Sequence, residues 1–235
     1  VNINSLSSSQ LDGFVFGTLL GDSSIVRKKL THNGYFKCSH CKEQKQLIEF
    51  KEKILKQIHP VKVNLKQSLR GDYQLNTNSL KYFTKLHKIF YKNKTKIVTK
   101  KILKKLTPLG LALWYMDDGQ LCLQKDKFDK TKIKSRRARI WSMSFTYEEH
   151  LLIKKYFKDK WNIHIKIYSS IKTGGIKYYI EFNSTNFRKF REIIKKYIIP
   201  DMLYKIDLQY DSRYPELYEK YNMDILTEKA KQLIF

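Results

Sequence analysis

Two short segments hold the side chains with the clearest chemical potential. Leu19-Leu20-Gly21-Asp22-Ser23 and Tyr115-Met116-Asp117-Asp118-Gly119 each end an apolar run with a carboxylate, and Asp22 and Asp118 stand 96 positions apart. If each run is a helix, the carboxylate sits at a C-terminus that already carries about half a negative charge, an unfavourable placement without a nearby cation. Side by side, two such ends form an oxygen-rich site of the kind hard divalent ions such as Mg²⁺ require. Within a basic surface, that site suits metal-assisted hydrolysis of phosphodiesters, the ion activating water and stabilising the leaving oxygen.

The elements that must hold these carboxylates are legible on either side of them. Ser7, Ser8 and Ser9 are N-cap candidates for a helix over Gln10 to Gly21, with Leu11, Phe14, Val15, Thr18 and Leu19 at helical spacing. Thr107 as N-cap and Pro108 at the first helical position open a second helix that runs to Asp117-Asp118-Gly119. Both are apolar around their girth, so each is expected to be buried on several sides. A common order of signals follows each helix. In the first half a strand over Tyr35 to His40, a helix over Gln44 to Gln57, a strand pair from Val61 through Leu75 and a helix over Ser79 to Phe90 succeed one another. In the second, a strand over Arg139 to Phe145, a helix from Thr146, strands around Ile163 to Ser170 and Ile176 to Phe182, and a helix after Asn183-Ser184-Thr185 repeat that order. Leu75-Asn76-Thr77-Asn78 and Phe182-Asn183-Ser184-Thr185 look alike and stand 107 positions apart, so the second copy carries about 11 extra residues, placed in the charged stretch Gln124 to Lys134. The expected fold is α+β, a pseudo-symmetric duplication of an αββαββα unit with two antiparallel β-saddles around a central two-helix interface. Its expected parts are residues 1–100, 101–206 and an appended, tyrosine-rich segment over 207–235 packed on the core.

Composition narrows the partner. The 235 residues include 47 Lys and Arg against 22 Asp and Glu, a net charge of +25, and 42% are hydrophobic. A real core excludes a disordered basic tail, and the charge makes a polyanion the default partner. Nucleic acid is favoured over membrane, because the cations run through alternating strand-like segments and do not form one helical stripe. Three cysteines give no disulfide framework. The longest apolar run, around Leu109 to Met116, is far too short for a membrane span, so a soluble, intracellular protein is expected. The chain opens on Val, as a trimmed or processed product would, so targeting is not read from it.

Val15-Phe16-Gly17-Thr18-Leu19-Leu20-Gly21-Asp22-Ser23 and Leu111-Ala112-Leu113-Trp114-Tyr115-Met116-Asp117-Asp118-Gly119 both resemble the signature motif of the LAGLIDADG homing endonucleases. Two motifs in one chain resemble the monomeric type. Trp114-Tyr115-Met116-Asp117-Asp118-Gly119 after Leu106-Thr107-Pro108, with Ile199-Pro200-Asp201-Met202-Leu203-Tyr204-Lys205, is similar to the omega-intron branch of the family. The resemblance covers residues 11 to 206 and implies a double-strand DNA endonuclease cutting across the minor groove to leave short 3′ overhangs. It also implies that Asp22 and Asp118 bind Mg²⁺, with Mn²⁺ able to substitute and no organic cofactor, and that Gly21 and Asp117 supply backbone carbonyls. A basic residue near the end of each repeat then acts at the scissile phosphate. Lys205 matches in the second half; in the first, Lys96 is preferred and Lys94 is the alternative. Gly13, Gly17 and Gly21 fit the close helix packing of the family, but Leu113 aligns with Gly17, so asymmetric packing is expected. A polar position on the strand after the motif aligns with Cys38 in one half and Met143 in the other.

DNA reading is expected on the strands, where period-two alternation gives a polar face. That parity selects Lys62, Asn64, Lys66, Ser68 and Arg70, then His164, Lys166, Tyr168, Ser170, Lys172, Lys177 and Tyr179. Cys38-Ser39-His40-Cys41 lacks the second ligand pair of a structural zinc site, so it reads as a strand and its exit. Trp114 and Tyr115 read as interface core. The expected partner is a long asymmetric duplex bound by a monomer, with no membrane. A group I intron RNA maturase, with intron RNA as a further partner, is the alternative, and a non-catalytic regulator is disfavoured by the paired carboxylates. With no splicing segments around residues 11 to 206, a free-standing intron-encoded protein is favoured over an intein. The abundance of Lys, Ile, Asn, Tyr and Phe matches AT-rich codons and favours an organellar genome, with a bacterial or phage origin as the alternative.

Overall fold

Ser7 starts the first element through a reciprocal box: its hydroxyl accepts from the Gln10 amide and the Gln10 side chain accepts from the Ser7 amide. This opens α1 (Ser8–Leu20) in the computed structural model of the protein, which describes residues 3, 5–125, 127, 128 and 133–211. There follow β1 (Ser24–Val26), β2 (Tyr35–His40), α2 (Lys45–Leu55), β3 (Val63–Gln67), β4 (Tyr73–Thr77) and α3 (Lys81–Phe90). A small hairpin, β5 (Tyr91–Lys92) and β6 (Thr95–Lys96), and a short helix, α4 (Lys100–Lys104), join the halves. The second half repeats the plan as α5 (Pro108–Asp118), β7 (Gly119–Lys125), β8 (Ile133–Ile140), α6 (Tyr147–Trp161), β9 (Ile165–Lys172), β10 (Gly175–Phe182) and α7 (Ser184–Ile194). The fold is therefore the α+β duplication that the order of signals implies. Each half carries one antiparallel four-stranded sheet, ordered β1-β2-β4-β3 and β7-β8-β10-β9.

The α1 and α5 helices are the hinge of the pseudo-symmetry. Eight residues of α1 and nine of α5 are buried, including Trp114 and Tyr115, so both helices pack on all sides. Thr107 caps α5 with Pro108 at its first position, as the sequence predicts. The helices approach closely at Gly17 and Gly110, where a Cβ on Gly17 would lie 2.0 Å from the Gly110 carbonyl oxygen. The close approach thus uses Gly110 and not the aligned Leu113, which is the asymmetry expected from the motifs.

Strand register corrects three details of the repeat. Ser24 faces Lys37 where Gln120 faces Arg139, so Lys37 corresponds to Arg139 and Cys38 to Ile140, not to Met143. Met143 lies in the turn after β8, because the strand stops at Ile140 well short of Phe145. Lys37 then pairs with Asn76 and Arg139 with Glu181, which aligns Asn76 with Glu181 and not with Asn183. The offset between halves therefore grows in steps, from 96 at the motifs to 102 at Lys37 and Arg139 and 105 at Asn76 and Glu181. Only part of the extra length falls between Gln124 and Lys134, where the hairpin tip lies partly outside the described residues. The rest enters around α6, which has 15 residues against 11 in α2. Of the C-terminal segment, residues 212–235, with Tyr214, Tyr218 and Tyr221, lie outside the described residues. Among the described residues, no helix is long and apolar enough to cross a membrane.

Candidate metal and nucleic-acid site

The two motif aspartates are held differently. Helix α5 runs through Asp118, so its amide lies within the helix, and its carbonyl accepts from the Trp141 amide at 3.0 Å. Helix α1 stops at Leu20, and Asp22 lies beyond the helix in a turn. Asp22 is exposed and Asp118 is half-buried. Burial first, and then the neighbouring charges of Asp22 and Asp117, push the Asp118 carboxyl up to about 8. Among the described residues, no salt bridge engages the carboxylate of Asp22 or of Asp118.

Both sequence-selected lysines reach the helix ends. Lys96 Nζ donates to the Gly21 carbonyl at 3.0 Å and to the Ser23 carbonyl at 2.9 Å, bracketing Asp22. Lys205, at the end of a 3₁₀ turn over Pro200–Lys205, donates to the carbonyls of Met116 and of Asp117, the latter at 3.2 Å. The Gly21 and Asp117 carbonyls, equivalent under the pseudo-symmetry, thus each accept an ammonium, which neutralises the negative helix ends. Burial pulls both lysines below the ordinary ammonium range, opposed by the surrounding aspartates. Lys94 is exposed in the β5–β6 turn, at positive φ beside Asn93.

The sequence reading missed a buried ion pair beneath this pair of ends. The motif gives Asp117 a role through its carbonyl alone, yet its carboxylate is fully buried and accepts from Lys51 Nζ at 2.6 Å. Its second oxygen accepts from the Asp22 amide at 3.2 Å. Lys51 also meets His40 Nε2 at 2.9 Å and Cys38 Sγ at 3.5 Å, and His40 Nδ1 meets Gln44 at 2.8 Å. Burial works against the Lys51 ammonium, but Asp117, Cys38 and Asp22 together outweigh it and raise its pKa. The same ammonium, after burial, helps push His40 down to about 4, so this imidazole is neutral. A signal existed: Lys51 lies on the buried stripe of α2 formed by Leu47, Ile48, Phe50, Ile54 and Leu55. Ligand atoms of Asp22, His40 and Asp117 lie within 4.8 Å of one another, but the Asp117 carboxylate is already engaged by Lys51 and the Asp22 amide. Cys38 faces this cluster while Cys41 is exposed, so the two thiols stand in different environments.

The sheets present their polar parity away from the helices. In the first sheet Ser24, Lys37, Asn76 and Asn64 align across the strands, followed by Ser39, Gln74 and Lys66. Asn64 and Lys66 are exposed on β3, and Lys62 is exposed just before it. Ser68 and Arg70 lie beyond β3, which ends at Gln67, in the hairpin turn, so their place on the strand is corrected and strand parity does not fix their face. In the second sheet Lys166, Tyr168, Ser170 and Lys172 on β9 pair with Glu181, Tyr179, Lys177 and Gly175 on β10. His164 precedes β9, with its amide donating to Asn186 at 2.9 Å. Here too the sequence missed a network of side chains. Glu181, 5% exposed, bonds Arg139 at 2.8 Å and Arg137 at 3.4 Å, and the Arg139 guanidinium lies over the rings of Trp141 and Tyr179. Trp141 is fixed by Gln120 at 2.8 Å, and Tyr179 stacks on Tyr168.

A model of the LAGLIDADG DNA endonuclease family matches residues 13–190. DNA endonuclease I-ChuI of Chlamydomonas applanata is 28% identical over 218 residues, covering 86% of this chain and 96% of its own length. Probable intron-encoded endonuclease 1 of Wickerhamomyces canadensis is 28% identical over 200 residues, covering 82% of this chain and 81% of its own. Protein RecA of Mycolicibacterium flavescens is 29% identical over 203 residues, and the match covers 85% of this chain but 47% of that protein, so the chain spans about half the length of such relatives. The structure of the homing endonuclease I-WcaI bound to its DNA recognition sequence shares the fold, with a TM-score of 0.65 at 22% identity over 86% of this chain and 88% of that one. With both aspartates inside the matched residues and the paired helices at the centre of the duplicated fold, the chain belongs to the LAGLIDADG DNA endonuclease family.

Proposed function

We propose that the protein is a site-specific, divalent-metal-dependent endonuclease that cuts both strands of a long asymmetric duplex across the minor groove and leaves short 3′ overhangs. What supports this reading is the pairing of the two helix ends, where the Asp22 charge lies near enough to raise the Asp118 carboxyl while Lys51 is engaged by the Asp117 carboxylate and Lys96 and Lys205 by the Gly21 and Asp117 carbonyls. An all-oxygen donor set fits a hard cation such as Mg²⁺ or Mn²⁺, whose binding would displace the proton that burial and the neighbouring carboxylates keep on Asp118. When bound, the cation supplies an activated water and stabilises the leaving oxygen. Asp22 and Asp118 would hold it, beside the Gly21 and Asp117 carbonyls, which here accept from Lys96 and Lys205. Lys96 and Lys205, desolvated at the two helix ends, stabilise negative charge at the scissile phosphates. The sheets bind the duplex through the polar parity, with Lys62, Asn64, Lys66, Lys166, Lys172 and Lys177 supplying cations and the Arg139 network a pre-set reading group. The two halves, 1–100 and 101–206, each serve one half-site. Intron mobility in an AT-rich organellar genome is the biological setting this activity suits.

The test is incubation of the protein with a pooled plasmid library and with the intronless allele of its locus, in Mg²⁺ and in EDTA, followed by sequencing of the ends. Mg²⁺-dependent breaks at one long site with 3′ overhangs are expected, and Asp22→Asn or Asp118→Asn abolishes them while leaving binding intact. Absence of cleavage together with tight binding to intron RNA would replace this reading with a splicing role.

A further inference from the structure

The backbone around Asp22 is fastened at three points that lie outside its own helix. Lys96 holds the carbonyls on either side, and the Asp117 carboxylate holds the amide of Asp22 itself. Asp118 is held otherwise: α5 carries it as a regular helical residue, the Trp141 amide donates to its carbonyl and Lys205 to the carbonyls of Met116 and Asp117, and no carboxylate holds its amide. The position of Asp117 is fixed in turn by Lys51, which is fully buried and comes from α2 in the other half of the molecule. The arrangement is one-sided: the residue corresponding to Asp117 in the first motif is Gly21, and a Cβ there would lie 2.5 Å from the Asp117 carboxylate oxygen. Beside the corresponding strand end of the second half, a neutral pair, Ser142 and His150 at 2.9 Å, replaces the charged cluster.

We infer that Lys51 and Asp117 form a positioning pair dedicated to Asp22, so that one of the two strand cuts depends on a buried ion pair and the other does not. This rests on the proposed role of Asp22 as a metal-holding carboxylate. Merely structural damage slows both cuts alike, because both aspartates hang on the same helix pair. Loss of a dedicated position changes the ratio of the two.

The test uses the duplex recovered by library selection, carried on a supercoiled plasmid and, separately, end-labelled on each strand. In Lys51→Met with Asp117→Leu the buried charges are removed together, which avoids leaving either unpaired. Gly21→Ala keeps both charges but sets a Cβ 2.5 Å from the Asp117 carboxylate oxygen and 2.6 Å from its Cβ, which forces Asp117 away from the Asp22 amide. Both variants are expected to cut one strand about 10-fold more slowly than the other, accumulating nicked circles. The slowed strand should be the one also slowed by Lys96→Met, and target binding in EDTA should be unchanged. Equal slowing of both strands, or no slowing, in the folded Gly21→Ala protein overturns the inference. Asp22→Asn separates the two levels: if it cuts normally, the role of Asp22 itself is wrong, whereas if it is inactive while the strand ratio of the other variants stays at the wild-type value, only the positioning pair is refuted.

Discussion

Gly17→Ala probes the helix interface on which both aspartates depend. The added Cβ would meet the Gly110 carbonyl oxygen at 2.0 Å, with the Gly110 carbonyl carbon and Cα at 2.5 Å, and none of these atoms can move by a side-chain rotation. To regain ordinary contact at about 3.4 Å or more, α1 and α5 must part by roughly 1.4 Å. Overpacking of this kind costs about 1–3 kcal/mol, here at the upper end because backbone meets backbone. Alanine returns about 1 kcal/mol through its better helix propensity. A net loss of about 2 kcal/mol lowers the melting temperature by about 4–8 °C for a chain of this size. Gly174→Ala is the matched control: its φ is +95° and nothing lies within 4 Å of an added Cβ, so it suffers local strain of about 1–2 kcal/mol with no displacement of the helices. Urea unfolding followed by tryptophan fluorescence measures both, and cleavage is assayed at a temperature where both remain folded. Gly17→Ala should lose activity beyond its loss of stability, and Gly174→Ala should not. A Gly17→Ala protein as stable and as active as the parent would show that the helices do not pack at this distance.

Glu181→Ala frees Arg137 and Arg139 from their carboxylate, and since both arginines are partly solvated the stability loss should be about 1 kcal/mol or less. Random duplex should then bind more tightly while the ratio of target to random affinity falls at least about 10-fold in competition binding at fixed salt; an unchanged ratio would remove Arg139 as a reading group. Burial holds His150 below its ordinary value of 6.5, opposed by its bond to the Thr146 carbonyl. A depressed histidine contributes stability that is present above about pH 6.5 and lost as the pH falls through the folded pKa. Denaturation midpoints should therefore decline on acidification below about pH 6.5, and His150→Gln should flatten that decline; identical pH profiles would assign it to other groups. Affinity for the duplex should fall steeply and linearly with salt on logarithmic axes, and a flat dependence would contradict phosphate contacts by the exposed lysines.

The parts of this architecture that local chemistry dictates were legible in the chain. Ser7, Thr107 with Pro108, Thr146 and Asn183 each cap a helix where cap preference places one. The apolar girth of two helices announced their burial, and alternation over Val63 to Gln67 and Ile165 to Lys172 assigned the faces of two strands. What escaped was set by pairing at a distance. Register depends on which residue faces which, and two similar-looking tetrapeptides suggest an offset two residues longer than the partners of Lys37 and Arg139 set. Lys51 escaped because one cation among 47 Lys and Arg carries little information, although its place on an apolar stripe was the clue. Arg139 and Glu181 escaped because they stand 42 positions apart and meet only when β8 lies beside β10.

The unlike construction of the two sheets has an evolutionary consequence. On the second sheet, Glu181, Arg139, Trp141, Tyr179 and Gln120 hold one another in place, so replacing any one of them unsettles the rest. On the first sheet, exposed Asn64, Lys66 and Gln74 carry no such mutual bonds among the described side-chain contacts, and each can be exchanged alone. Under the proposed function, new target preferences arise one substitution at a time in the half-site read by the first sheet. In the other half-site they require several changes at once, so that half would act as the conserved anchor as the recognised sequence drifts.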